Sequence, residues 1–229
     1  MKIEKIKGKI FNAQEVQSIL NGSKVMFREV IKPQPQQNGG KGFHPVFPHE
    51  TPSGRWNWVL DTGMGTGDPF HAQYQVGQKI FVKEKWGIGS RPDQFGGYKG
   101  FEYKADCFGD NENLPCYEID YDKLPKNIEI DNWIGNWEQA RLMPQWASRL
   151  TLEITDIKVE RLGEISEDDA IREGIPLSNE FKDRYYTPEN NYAVPKIAFM
   201  RWWNATHKKP EEKFEVNPFV WVVDFKIKK

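Results

Sequence analysis

Ile19-Leu20-Asn21-Gly22-Ser23-Lys24-Val25-Met26-Phe27-Arg28 joins a short apolar run to a strand-like segment carrying two cations. Gly22 suits the left-handed conformation that closes a helix, because it has no Cβ to clash. Upstream, Asn12 followed three residues later by Glu15 reads as a capped helix start, with Val16, Ile19 and Leu20 as its apolar stripe. Lys24 and Arg28 are four residues apart, so on one strand both point to the same face. Two cations on one face beside a helix end make a candidate anion or nucleotide site. A surface hairpin with solvated charges is the plain alternative.

Outward from this stretch the chain alternates short strands and loops. Trp56–Leu60 and Lys79–Trp86 read as strands, and residues 33–51 and 63–69 as loops rich in Gly, Pro, Gln and Asn. A long insertion at about 87–143 holds strand candidates at 100–104 and 116–121. Leu150, Leu152 and Ile154 alternate, and Ile157 and Val159 take the other parity, which predicts a β-bulge near Thr155-Asp156. Ser166, with Asp169 three residues on, opens a second helix that closes at Gly174; residues 197–205 read as a third. Phe219, Trp221, Val223, Phe225 and Ile227 alternate while Val220 and Val222 fill the other face, the mark of a central strand. The pattern predicts an α+β fold. Its centre is a small barrel of mixed or antiparallel strands, closed or nearly so, with two or three flanking helices in one domain, 1–229.

Aromatics make up 14 % of the 229 residues, including nine tryptophans. That suits a β-rich core with polar loops. No apolar run approaches the roughly 20 residues that span a membrane, and Met1–Lys7 lacks the apolar core of a signal peptide. A cytoplasmic location without a membrane partner is therefore expected. The net charge of −1 hides an asymmetry: residues 1–101 carry fourteen Lys/Arg against eight Asp/Glu, and residues 102–138 three against ten. A nucleic-acid partner would have to meet the N-terminal part. Gly63, Gly65 and Gly67 precede Asp68-Pro69 rather than a helix start, so neither the dinucleotide nor the P-loop pattern is met. Two cysteines and four scattered histidines show no zinc spacing. No cofactor or metal is expected.

Gly22, Lys24 and Arg28, followed by Val30-Ile31-Lys32-Pro33-Gln34, resemble the opening motif of ASCH-domain proteins in the PUA-like superfamily, closest to the phage- and prophage-borne branch. Residues 75–86, with Lys83-Glu84-Lys85-Trp86, resemble a second block of that branch. Met143–Arg149 through Leu162 and Asn217–Phe225 resemble its central segment and closing strand. The resemblance implies a PUA-like barrel. Some proteins of the family it resembles are amidohydrolases of N4-acylated cytidine, with a lysine, a threonine and a glutamate as the proposed machinery. Lys24 stands at the lysine position and Glu173 at the glutamate, but Phe27 occupies the threonine position. A phenyl ring cannot attack a carbonyl.

The leading expectation is accordingly binding of RNA or of a nucleotide with a modified base. Lys24 and Arg28 would anchor it, Glu173 would accept from a base edge, and Trp86, Trp146 and Trp202 would offer stacking surfaces. Arg149 joins the ligand-binding set from the central segment. Trp202 and Trp203 point about 100° apart on a helix, so only one can face the core. A hydrolase acting through Lys24, Glu173 and an activated water is the second reading. A phage accessory protein binding a protein through the acidic insertion is the third.

Overall fold

Asn12 Oδ1 accepts from the Glu15 amide while the Glu15 carboxylate accepts from the Asn12 amide, so the capping box starts a helix where the sequence places one. The computed structural model describes residues 6–34, 46–50, 56–60, 72–91, 98–107, 117–119, 124 and 136–228. In chain order they form β1 (Lys7–Ile10), α1 (Ala13–Leu20), β2 (Met26–Val30), β3 (Val46–Glu50), β4 (Trp56–Leu60), β5 (Lys79–Lys83), β6 (Trp86–Arg91) and β7 (Tyr98–Tyr103). There follow β8 (Tyr117–Glu118), β9 (Trp137–Glu138), β10 (Thr151–Arg161), α2 (Glu167–Arg172), β11 (Tyr185–Tyr186), β12 (Tyr192–Ala193), α3 (Pro195–Thr206) and β13 (Phe219–Lys228). The fold is mixed α+β. Among the described residues no sheet closes into a barrel, and no helix is long and apolar enough to cross a membrane.

The chain divides into two compact units. The first holds residues 1–24, 79–153 and 226–229. Here β1 runs parallel to β5, with Lys7 opposite Ile80, and the start of β10 pairs antiparallel to β5, with Thr151 opposite Phe81. A separate sheet has the order β8-β7-β6-β9. Its inner face sets Trp86 opposite Tyr103 and Ile88 opposite Phe101. With Ile119, Met143 and Ala147 these side chains make one buried cluster of the unit. The described strands within the stretch read as an insertion thus belong to this sheet. Gly22, at φ 81°, follows α1 in the left-handed conformation expected of a helix stop.

The second unit holds residues 25–78 and 154–225. Its strand order is β10-β13-β2, with Val30 opposite Val220 and Met26 opposite Asp224. Phe219 through Val223 are all buried, so β13 is a central strand, as the apolar character of both its faces predicts. On one face Met26, Val30, Val220 and Val222 pack with Ala170, Ala198, Phe199 and Trp203 of α2 and α3. Complete burial of Val220 and Val222 contributes about 1.5–3 kcal/mol each. On the other face Phe27 meets Tyr74 edge-on at 5.4 Å and Phe225 at 6.0 Å. Ser166 Oγ caps α2 by accepting from the Asp169 amide, and Gly174 follows at φ 78°. Pro195 occupies the first turn of α3, where a missing N–H costs nothing.

Two details differ from the sequence expectations. The run Lys79–Trp86 is two strands, broken at Glu84 because its amide donates to Met143 Sδ rather than to a neighbouring strand. Residues 46–50, read as loop from their composition, form β3 against β4; Pro48 is tolerated in a two-stranded ribbon, where one side of each strand needs no ladder partner. Around Thr155 and Asp156 both side chains are exposed, after buried Leu152 and Ile154, while β10 continues through them. The expected loop at 63–69 lies outside the described residues.

Candidate functional site

Alternation along β2 places Met26, Arg28 and Val30 on the face that α2 and α3 cover. Arg28 is therefore carried inward, and its side chain is completely buried. Nη1 donates to Glu173 Oε1 at 3.0 Å and to Met26 Sδ at 3.4 Å. Nη2 donates to Glu160 Oε2 and to Asp169 Oδ2, each at 3.2 Å. Among the described residues no acceptor reaches Nε. The guanidinium thus draws together β10 and both ends of α2: Asp169 lies in its first turn and Glu173 is its C-cap. Lys158 Nζ stands 2.6 Å from Glu160, and that hydrogen bond raises its pKa. Arg172 pairs with Asp169 at 3.1 Å and also with Asp224. In these pairs Arg28, Lys158 and Arg172 meet the carboxylates of Glu160, Asp169, Glu173 and Asp224.

Such a buried set is costly to assemble, and removing one partner strands the others. A carboxylate at a helix C-terminus also opposes the macrodipole. Arg28 offsets this at Glu173. The arrangement fixes one oxygen of Glu173 in a nearly buried place (its side chain is 6 % exposed).

Lys24 belongs to the first unit. It is 3 % exposed, its amide donates to Ser18 O at 2.8 Å, and its Nζ lies 3.5 Å from Glu15 Oε1. Glu15 thus serves both the cap of α1 and Lys24. The two cations read as one strand face from their spacing belong to separate units, because β2 begins only at Met26.

Trp86, Trp146 and Arg149 also lie in the first unit. Trp86 is completely buried, edge-on to Trp146 at 5.6 Å and to Phe101 at 6.1 Å. Half-buried Trp146 packs against the same core. Arg149 grips Glu84 in a two-pronged pair, with Nε and Nη2 each 2.9 Å from a carboxylate oxygen. Its Nη1 donates to Asp106 at 2.8 Å and to the Tyr117 hydroxyl at 3.0 Å. The Tyr103 ring lies 4.2 Å from its guanidinium carbon. Burial pushes the Tyr103 phenol and the Glu84 carboxyl up from their ordinary values. Glu84 stands in a segment the sequence resemblance quotes. Asp106, Tyr103 and Tyr117 carry no spacing signal.

Trp202 is half-buried, and its Nε1 donates to the Tyr186 carbonyl at 2.8 Å; Trp203 is the one that enters the core. Among the described residues no group of three or more His, Cys, Asp or Glu is placed to hold a metal. Compared with known proteins, the chain matches no family model, no curated sequence and no solved structure.

Proposed function

We propose that this is an ASCH-type, PUA-like protein that binds the base of a modified nucleoside or nucleotide, within RNA or free, at Glu173. The observation that carries the reading is the Arg28–Glu173 pair, which joins two motif positions 145 residues apart at 3.0 Å. Arg28 then acts as a positioning residue. With three carboxylates around it, it does not serve as an open phosphate anchor. Three carboxylates on one guanidinium disfavour phosphate there and suit the N–H edge of a base, which a fixed carboxylate accepts. Hydrolysis ranks below binding, because Phe27, at the threonine position, is packed between Tyr74 and Phe225 and supplies no hydroxyl.

Tryptophan fluorescence titrated with cytidine, N4-acylated cytidine and uridine tests this. At least one nucleoside should bind with little dependence on salt, and Glu173→Gln should weaken it by about tenfold or more, the cost of a charged hydrogen bond. Affinity unchanged by Glu173→Gln removes the site. Turnover of the acylated nucleoside that Glu173→Gln abolishes would restore the hydrolase reading.

A further inference from the structure

The Arg28–Glu173 pair lies almost wholly out of solvent, with side chains 0 % and 6 % exposed. A ligand reaches it only when a neighbouring element moves. The element with the least apolar attachment is α2 with its two flanks. Between buried Ile165 and Ile175, residues 166–174 bury the side chains of Ala170 and Glu173 alone. By contrast α3 buries Ala198, Phe199 and Trp203. Alanine contributes a single methyl group of apolar burial. Segments with so few buried apolar contacts open before the rest of a fold does.

Polar ties hold the segment to the sheet. The Val25 amide donates to the Arg172 carbonyl at 3.0 Å, Arg172 pairs with Asp224 of β13, and Arg28 reaches Asp169 and Glu173. Arg172 is 45 % exposed, so water replaces its partner at little cost. Breaking a buried pair is expensive when it strands a charge. Arg28 is not stranded when α2 lifts, because Glu160 of β10 stays 3.2 Å from Nη2 and Met26 Sδ stays on its own strand. The flanks are better anchored. Leu162 and Ile165 are fully buried before α2, Glu167 accepts the Lys196 amide of α3, and the Tyr186 amide donates to the Pro176 carbonyl beyond it. Gly174, at φ 78°, supplies a joint free of Cβ strain at the end that moves.

We propose that residues 166–174 form a strap that lifts from the sheet by local opening between the Ile165 and Ile175 anchors, and that this opening is the entry to the Arg28–Glu173 pair. That a nucleoside enters there rests on the function proposed for Glu173; the opening itself does not.

Native-state hydrogen exchange on the full chain, resolved by amide and corrected for intrinsic rates, tests the strap. The Ala170, Glu173 and Gly174 amides donate to the Ser166, Asp169 and Ile171 carbonyls. They should exchange about tenfold or more faster than Val220 and Val222 of β13, with little response to urea below the unfolding transition, as a small opening requires. Asp224→Asn should speed the three by about threefold, the effect of losing a partly exposed pair, and leave Val220 unchanged. Strap amides that exchange only together with β13, at the same rate and urea dependence, overturn the proposal. So does an Asp224→Asn effect that is equal in β13. Saturating N4-acylated cytidine should slow the three amides. Local opening without that protection keeps the strap and removes the nucleoside; binding to a chain whose strap opens only on global unfolding keeps the nucleoside and removes the strap.

Discussion

Arg149 and Arg28 are both surrounded by carboxylates, yet the two clusters are built differently. Arg149 commits two donors to one carboxylate, Glu84, and lays its face on Tyr103; this is the planar, bidentate geometry that only arginine offers. Arg28 divides its donors among three carboxylates from two elements. The first arrangement closes on one carboxylate, and the second spreads over three. Arg149→Met should therefore cost about 3–5 kcal/mol in urea denaturation, because it leaves the buried Glu84 carboxylate without its partner. Adding Glu84→Leu should recover much of the loss. A single variant that loses less than about 1 kcal/mol would show that water reaches Glu84 and that the pair organises nothing. Neither set of neighbours was legible from residue spacing, since Glu84 and Arg149 lie 65 positions apart and Arg28 and Glu173 lie 145 apart.

At the level of elements, local chemistry carried further. The capping box at Asn12, the Ser166 cap and the left-handed glycines 22 and 174 set the ends of α1 and α2 without tertiary information. Asn12→Ala should lower stability by about 1 kcal/mol, seen as a shift in the thermal midpoint; an unchanged midpoint would mean that packing of Val16 and Ile19 holds the helix start unaided. Strand boundaries were less legible. The apolar run from Ile80 to Trp86 reads as continuous until the amide of Glu84 turns to Met143, a residue distant in sequence. Likewise β3 depends on β4 for its hydrogen bonds, so its own composition of Pro, His and Glu resembles a loop.

Across the whole molecule the near-zero net charge conceals local sets, each with its own pH response. Hydrogen bonds from Lys228 and then Lys226 hold the Glu153 carboxyl down to about 2. Its folded value lies below the roughly 4.3 of an unfolded glutamate. The stabilisation it brings is therefore complete above that value and lost as pH falls through about 2. Because Lys226 and Lys228 are exposed, salt screens these pairs. Glu153→Gln should separate from the parent in denaturation at pH 7, converge with it near pH 2, and converge at pH 7 in high salt. A gap that persists at pH 2 would assign the effect to packing instead. The sequence by itself determined the α+β class, the ends of α1 and α2 and the central place of β13, because caps and alternation act over a few residues. Only the tertiary structure decided that Arg28 faces Glu160, Asp169 and Glu173, that Lys24 turns to Glu15, and that Trp86 is buried while Phe181 is exposed. Those outcomes depend on which distant segments meet each face, and short-range spacing carries no record of that.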